Sequence, residues 1–190
     1  MDTRQYCTGL ILAGGAGRRV GGRDKGLLSW QGAPLVEHVA QRLRPQVGRL
    51  LISCNRNREY YATLDATLVT DSRQDFQGPL AGIESAIPHI SSEFLLVAPC
   101  DNPLLPLDLA SRLLTDINRS DAPGVDICFA HDGERGQYLC AAIRCTALVE
   151  LPAFLDQGHR AVRQWYTHQG CRSVDFSDRA ECFANLNSRE

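Results

Sequence analysis

The chain has 190 residues, of which 20 are Lys or Arg and 22 Asp or Glu, giving a formal net charge of -2, and 44% are hydrophobic. That is enough length and apolar material for a single domain, 1–190, with a proper core, and it excludes an intrinsically disordered chain. A near-neutral balance without long charge runs excludes wholesale nucleic-acid binding, which needs a broad basic surface, and no apolar stretch is long enough to span a membrane.

Residues 8–12 form an apolar run that reads as a short buried strand. The run opens into a loop carrying Gly14, Gly15, Gly17, Gly21, Gly22 and Gly26, with Arg18, Arg19, Arg23 and Lys25 set among them. Glycine lets the backbone approach a ligand with its N–H groups turned towards it. Cations beside such a loop indicate an anionic ligand, and a phosphate chain fits best. Two common phosphate motifs fail here. The nucleoside-triphosphate P-loop requires Ser or Thr after its lysine, and Lys25 is followed by Gly26. The dinucleotide fingerprint requires a third glycine, and Val20 stands in its place.

A turn at Gln31-Gly32 leads to Pro34, a favoured residue at a helix start because its missing N–H costs nothing there. Leu35, Val36, Val39, Ala40 and Leu43 then make one apolar helical face, ended by Pro45. Residues 50–54 read as the second strand, 59–64 as a short helix and 67–70 as the third strand, closing on Asp71. Gly78-Pro79 breaks the polar stretch that follows. Residues 80–90 read as a helix loosened by Pro88, 94–98 as the clearest buried strand, and 107–117 as a helix.

This alternation predicts an α/β fold with a mostly parallel sheet covered by helices on both faces. The second half changes character. Residues 125–130 and 139–144 read as strands separated by the turn-rich stretch 131–136, which predicts an antiparallel element. Residues 147–155 and 161–168 read as helices, and 173–176 and 182–184 as short late strands.

None of the eight cysteines forms a Cys-x-x-Cys pair, and the five histidines fall in no metal-ligand spacing, so no zinc site is read. The opening residues carry no signal-peptide core, and the free thiols fit a reduced, cytoplasmic protein.

In an open α/β sheet, ligands bind beyond the carboxyl ends of the strands. The first strand delivers the glycine loop there, the second Ser53 and Asn55, the third Asp71 and the fourth Asp101. Carboxylates beside bound phosphates imply a hard divalent cation, most often Mg²⁺.

Leu12-Ala13-Gly14-Gly15, Arg18-Arg19, Gly21-Gly22 and Asp24-Lys25-Gly26 resemble the signature loop of the molybdenum cofactor guanylyltransferases. Gly78-Pro79-Leu80-Ala81-Gly82 and Pro99-Cys100-Asp101-Asn102-Pro103 resemble later motifs of the same family. The double glycine leans towards guanine, since cytidylyltransferase relatives usually show Leu-Ala-Ala-Gly. The resemblance implies a three-layer, Rossmann-like nucleotidyltransferase fold of the glycosyltransferase-A type. It implies transfer of GMP from GTP to the terminal phosphate of molybdenum-molybdopterin, with release of pyrophosphate. In family terms Leu12, Ala13, Gly14 and Gly15 line the guanosine and phosphates. Arg19 and Lys25 neutralise the triphosphate, Asp71 contacts the nucleotide, and Asp101 holds Mg²⁺.

Ser53 stands where the family often carries a nucleotide-contacting asparagine, and Asn55 is a second candidate for that role. Arg160, Asn185 and Asn187 resemble residues on the molybdopterin side. The implied partners are GTP, the loaded cofactor, a molybdenum-insertion protein, and apo-molybdoenzymes or their chaperones, with no nucleic acid and no membrane. A monomer is expected. Three alternatives stay open: a CTP-using sibling, a sugar-phosphate nucleotidyltransferase, and a GTP-binding regulator without catalysis.

Overall fold

A computed structural model describes residues 4–15, 22–73, 77–119 and 123–183. A seven-stranded sheet forms its centre. The strands of the first half are β1 (Cys7–Leu12), the two-residue pieces β2 (Ser29–Trp30) and β3 (Ala33–Pro34), β4 (Arg49–Ser53), β5 (Thr67–Val69) and β6 (Phe94–Pro99). Those of the second half are β7 (Ile127–His131), β8 (Gly136–Arg144) and β9 (Cys171–Asp175). The helices are α1 (Leu35–Leu43), α2 (Arg58–Tyr61), α3 (Pro79–Ala86), α4 (Leu109–Ile117), α5 (Leu151–Asp156) and α6 (Val162–Gln169).

The sheet runs β5-β4-β1-β6-β8-β7-β9, while β2 and β3 pair separately around the turn at Gln31-Gly32, both in left-handed conformations. β1 pairs parallel with β4 and with β6, and β4 parallel with β5. β8 alone runs against its neighbours, pairing antiparallel with β6 and with β7, and β7 then pairs parallel with β9. The parallel sheet with one reversed strand in the second half is the arrangement expected from the sequence.

Both faces of the central strands are buried, so these strands are apolar almost throughout rather than alternating. Side chains still divide by the period of two. Phe94, Leu96 and Ala98 of β6 join Ile11, Ile52 and the apolar faces of α1 and α4 on one side. Leu95 and Val97 join Leu10, Leu51, α3, α5 and α6 on the other. In α1 the buried residues are Leu35, Val36, Val39, Ala40 and Leu43, the stripe read from sequence. Among the described residues no helix is long and apolar enough to cross a membrane.

Most element bounds shift by a few residues from expectation, and three elements differ in kind. The helix read over 80–90 ends at Ala86 and continues as a 3-10 turn, Ile87–His89, around Pro88. The helix read over 147–155 is a 3-10 turn, Cys145–Glu150, followed by α5. The strand read over 182–184 is not formed at its described positions, since Cys182 and Phe183 close the 3-10 segment Ser177–Phe183. Its cause is local. The Asp175 carboxylate accepts the Ser177 N–H at 2.9 Å and turns the chain away from the sheet edge. Phe183 then packs edge-on against Phe176, with ring centres 5.7 Å apart.

Candidate functional site

From β1 the connections lead to β4 and β5 on one side, while β6 lies on the other. The strand order therefore reverses between β1 and β6, and a crevice opens at their carboxyl ends. A cavity of about 400 Å³ occupies that place. Its walls come from Leu12, Ala13, Gly14 and Gly15 after β1, Lys25, Ser53 at the end of β4, Asp71 after β5, and Pro99, Cys100 and Asp101 at the end of β6. Gly78, Pro79 and Gly82 from the start of α3 and Leu139 from β8 complete it.

The Lys25 ammonium donates to the Asp101 carboxylate across the cavity. Lys25 is about one-third exposed and Asp101 14% exposed, so both remain accessible. The other acid is held differently. Asn55 Nδ2 donates to Asp71 at 2.8 Å and to the Gly14 carbonyl at 3.2 Å, and the Asp71 N–H donates back to Asn55 Oδ1 at 3.0 Å. Ser53 Oγ donates to the other Asp71 oxygen at 3.3 Å. Asn55 thus stands behind the cavity wall and fixes both Gly14 and Asp71. A Cβ on Gly14 would come within 3.0 Å of Asn55 Nδ2, so the missing side chain is what lets the amide reach in.

Gly82 is closed in more tightly. A Cβ there would lie 2.8 Å from Ser53 Oγ and 2.9 Å from Leu12 Cδ2. Gly82→Ala is expected to destabilise the fold by about 1–3 kcal/mol through overpacking, read as a lower urea midpoint with an unchanged slope.

The ends of the glycine loop are gripped from one neighbouring segment. Arg56 donates to the carbonyls of Gly22 at 2.6 Å, Gly15 at 3.2 Å and Arg23 at 3.3 Å. Asn57 and Tyr61 both donate to Asp24. These contacts span the sequence without periodicity, and the sequence reading missed them; the cue available was the run Asn55-Arg56-Asn57 directly after a buried strand. Arg18 and Arg19 lie outside the described residues, as do Asn185 and Asn187.

Arg160 does not line the cavity. Its guanidinium donates to Gln77 Oε1 at 2.6 Å and to the carbonyls of Leu155 and His159 at 2.7 and 2.6 Å. It ties the turn after α5 to the residue preceding Gly78 at the rim. Cys100 does line the cavity, but burial pushes its thiol up, and the Asp101 charge adds to the shift. A thiol kept protonated is neither a nucleophile nor a metal ligand.

Among the described residues no group of three or more His, Cys, Asp or Glu could hold a metal ion. The donor set that is present still fits magnesium. Mg²⁺ is commonly held by one or two carboxylates with substrate phosphate oxygens and water, and Asp101 offers a carboxylate on the cavity wall.

The family described as "MobA-like NTP transferase domain" matches residues 9–171. The molybdenum cofactor guanylyltransferase of Shewanella sediminis (strain HAW-EB3) is 40% identical over 181 residues, covering 95% of this chain and 91% of that protein. That of Shewanella sp. (strain MR-4) is 41% identical over the same share of this chain and 90% of its own. Among solved structures, molybdopterin-guanine dinucleotide biosynthesis protein A from Archaeoglobus fulgidus superposes with a TM-score of 0.73 at 21% identity, covering 95% of this chain and 92% of that one. A protein of Aquifex aeolicus VF5 gives a TM-score of 0.77 at 16% identity, covering 98% and 96%.

Proposed function

Since this chain belongs to the MobA-like NTP transferase family, with relatives named molybdenum cofactor guanylyltransferase, we propose that it transfers GMP from GTP to the terminal phosphate of molybdenum-molybdopterin and releases pyrophosphate. One observation carries this reading: a glycine-walled cavity at the strand-order reversal, with Lys25 and Asp101 facing each other across it.

The chemistry asks the protein for positioning and charge compensation more than for covalent participation. The attacking phosphate is already ionised near neutral pH, so no general base is needed. Backbone around Gly14 and Gly15 lies against the phosphates, and glycine gives the close approach. The Lys25 ammonium moves from Asp101 to the triphosphate and stabilises the negative charge that grows on departing pyrophosphate. Asp101 would hold Mg²⁺, which supplies further neutralisation of the phosphate oxygens. Arg19 is proposed to add a second cation.

Leu12, Ala13, Ser53 and Asp71 would receive the nucleoside. A carboxylate with both oxygens aimed accepts two donors side by side. Guanine offers such a pair in its N1–H and N2 amino group, whereas the corresponding edge of cytosine sets one amino donor beside an acceptor. Asn55 holds Asp71 in place for this contact. The loaded pterin would enter from the second half of the chain, where Leu139 reaches the cavity. Arg160 would act there through Gln77 and the rim, and Asn185 and Asn187 are proposed for the same side. A cytoplasmic monomer that receives its cofactor from a molybdenum-insertion protein and passes product to apo-enzymes or their chaperones completes the proposal.

The test is turnover of GTP, CTP and ATP in competition, with loaded cofactor present and pyrophosphate followed. GTP is expected to dominate by at least about tenfold, the scale of one well-placed hydrogen bond to a charged group. Equal turnover of CTP would remove the guanine assignment. GTP binding without pyrophosphate release would indicate a regulator instead.

A further inference from the structure

Lys25 sits between Asp24, whose carboxylate a buried phenol holds, and Gly26, whose N–H that same carboxylate accepts. Tyr61 at the end of α2 is completely buried. Its O–H donates to Asp24 Oδ1 at 2.8 Å. That same oxygen accepts the Gly26 N–H at 3.1 Å and so caps the 3-10 turn Lys25–Leu27. The other carboxylate oxygen accepts Asn57 Nδ2 at 2.9 Å. Asp24 is therefore fixed by three donors, two of them side chains from the segment after β4.

Gly26 shows how close the grip is. A Cβ at that position would lie 2.6 Å from the Tyr61 hydroxyl. The phenol reaches Asp24 only because residue 26 lacks a side chain. A buried hydroxyl needs a partner, and burial together with the Asp24 carboxylate pushes the Tyr61 pKa up, so it stays a donor. The backbone on both sides of Lys25 is thus anchored, and its flexible four-carbon stem starts from a fixed point aimed at Asp101.

We propose that Tyr61 and Asn57 are positioning residues for the Lys25 ammonium, acting through the Asp24 carboxylate and the Gly26 N–H. Neither touches the cavity. Their task is to set where the ammonium can reach before a triphosphate arrives, so that little reorganisation is left for the reaction. The inference rests on the reading of the cavity as the GTP site.

The experiment compares Tyr61→Phe with the wild type, alone and in a Lys25→Met background. Steady-state kinetics are run for GTP and for loaded cofactor, beside thermal unfolding. Phenylalanine keeps the ring in the core and removes only the hydroxyl. Loss of a hydrogen bond to a charged group is worth about a tenfold effect or more. The expected result is a roughly tenfold fall in kcat/KM for GTP with an unchanged KM for the cofactor. In the Lys25→Met background the same change adds less than about twofold, because the group it positions is gone.

Asn57 is exposed and adopts φ 50°, so Asn57→Gly keeps the backbone conformation while removing the amide. It gives a second variant should Tyr61→Phe fold poorly, with an expected loss of about threefold in the same parameter. Equal fold losses with and without Lys25 would show a merely structural role and overturn the proposal. Wild-type protein that turns over GTP while both variants match it overturns this inference alone. Wild-type protein that neither binds nor turns over GTP overturns the functional reading and this inference together.

Discussion

Asp101→Ala is expected to abolish guanylyl transfer, with a loss of at least about 10³-fold in kcat, and to leave the fold standing. The carboxylate lies at the end of β6 on the cavity wall and contacts Lys25. It is the acid proposed to hold a cation against the triphosphate, while Asp71, braced by Asn55 and Ser53, is proposed for the nucleoside. The stability cost is small because the partner it leaves, Lys25, is about one-third exposed and can be rehydrated. Pyrophosphate release measured across a magnesium titration, with circular dichroism of the same sample, checks both halves. Near-normal activity would take Asp101 out of the metal site. Asp101→Asn keeps shape without charge and is expected to recover little, which separates a need for the carboxylate from a need for bulk.

The second large effect is expected at Lys25. Lys25→Met retains most of the aliphatic stem and removes the ammonium. Removing one preorganised donor to developing negative charge typically lowers kcat by about 10²- to 10³-fold, and a loss of this size is expected in kcat/KM for GTP. Lys25→Arg restores charge but not geometry, since a planar guanidinium cannot replace a compact ammonium at a confined position. It is expected to recover only a minor part of the activity. If methionine and wild type showed the same KM and kcat for GTP, the triphosphate would have to lie elsewhere. Isothermal titration with GTP and Mg²⁺ separates lost binding from lost turnover.

Sequence alone made the site legible wherever a residue's role follows from its place at a strand end. Leu12 to Gly15, Ser53, Asp71 and Asp101 come together because parallel strands all finish on the same edge, and apolar runs announce such strands clearly. Asn55 was visible for the same reason, but its task was not. It braces Gly14 and Asp71 from behind the wall, which depends on the spacing of β4 and β5 in the sheet. The contacts of Arg56, Asn57 and Tyr61 with the loop were hidden because side chains reaching across more than thirty residues leave no periodic trace. Arg160 enters only by its resemblance to a residue on the molybdopterin side, and its contacts with Gln77 and two carbonyls at the rim were not legible in the sequence. Cys182 and Phe183 failed as a strand because a short apolar run carries no period, and the Asx-type turn at Asp175 decided the outcome.

Because β8 runs against the strands beside it, the chain returns to the cavity from the opposite direction. Val97 pairs with Ala141, so by register Leu139 comes level with Pro99 and residues 136–138 extend past the tip of β6. The bend 132–135 stands farther out still, with Gly133, Glu134 and Arg135 in solvent and Asp132 closing it through the Glu134 and Arg135 amides. Inserted residues at that outcrop would add a parapet beside the cavity wall that Leu139 completes, without shifting a single pair in the sheet. The hairpin is thus a natural place for graft and exchange: under the proposed function, changes there would reshape the acceptor side and leave the strand-end wall around Gly14 and Asp101 as it is.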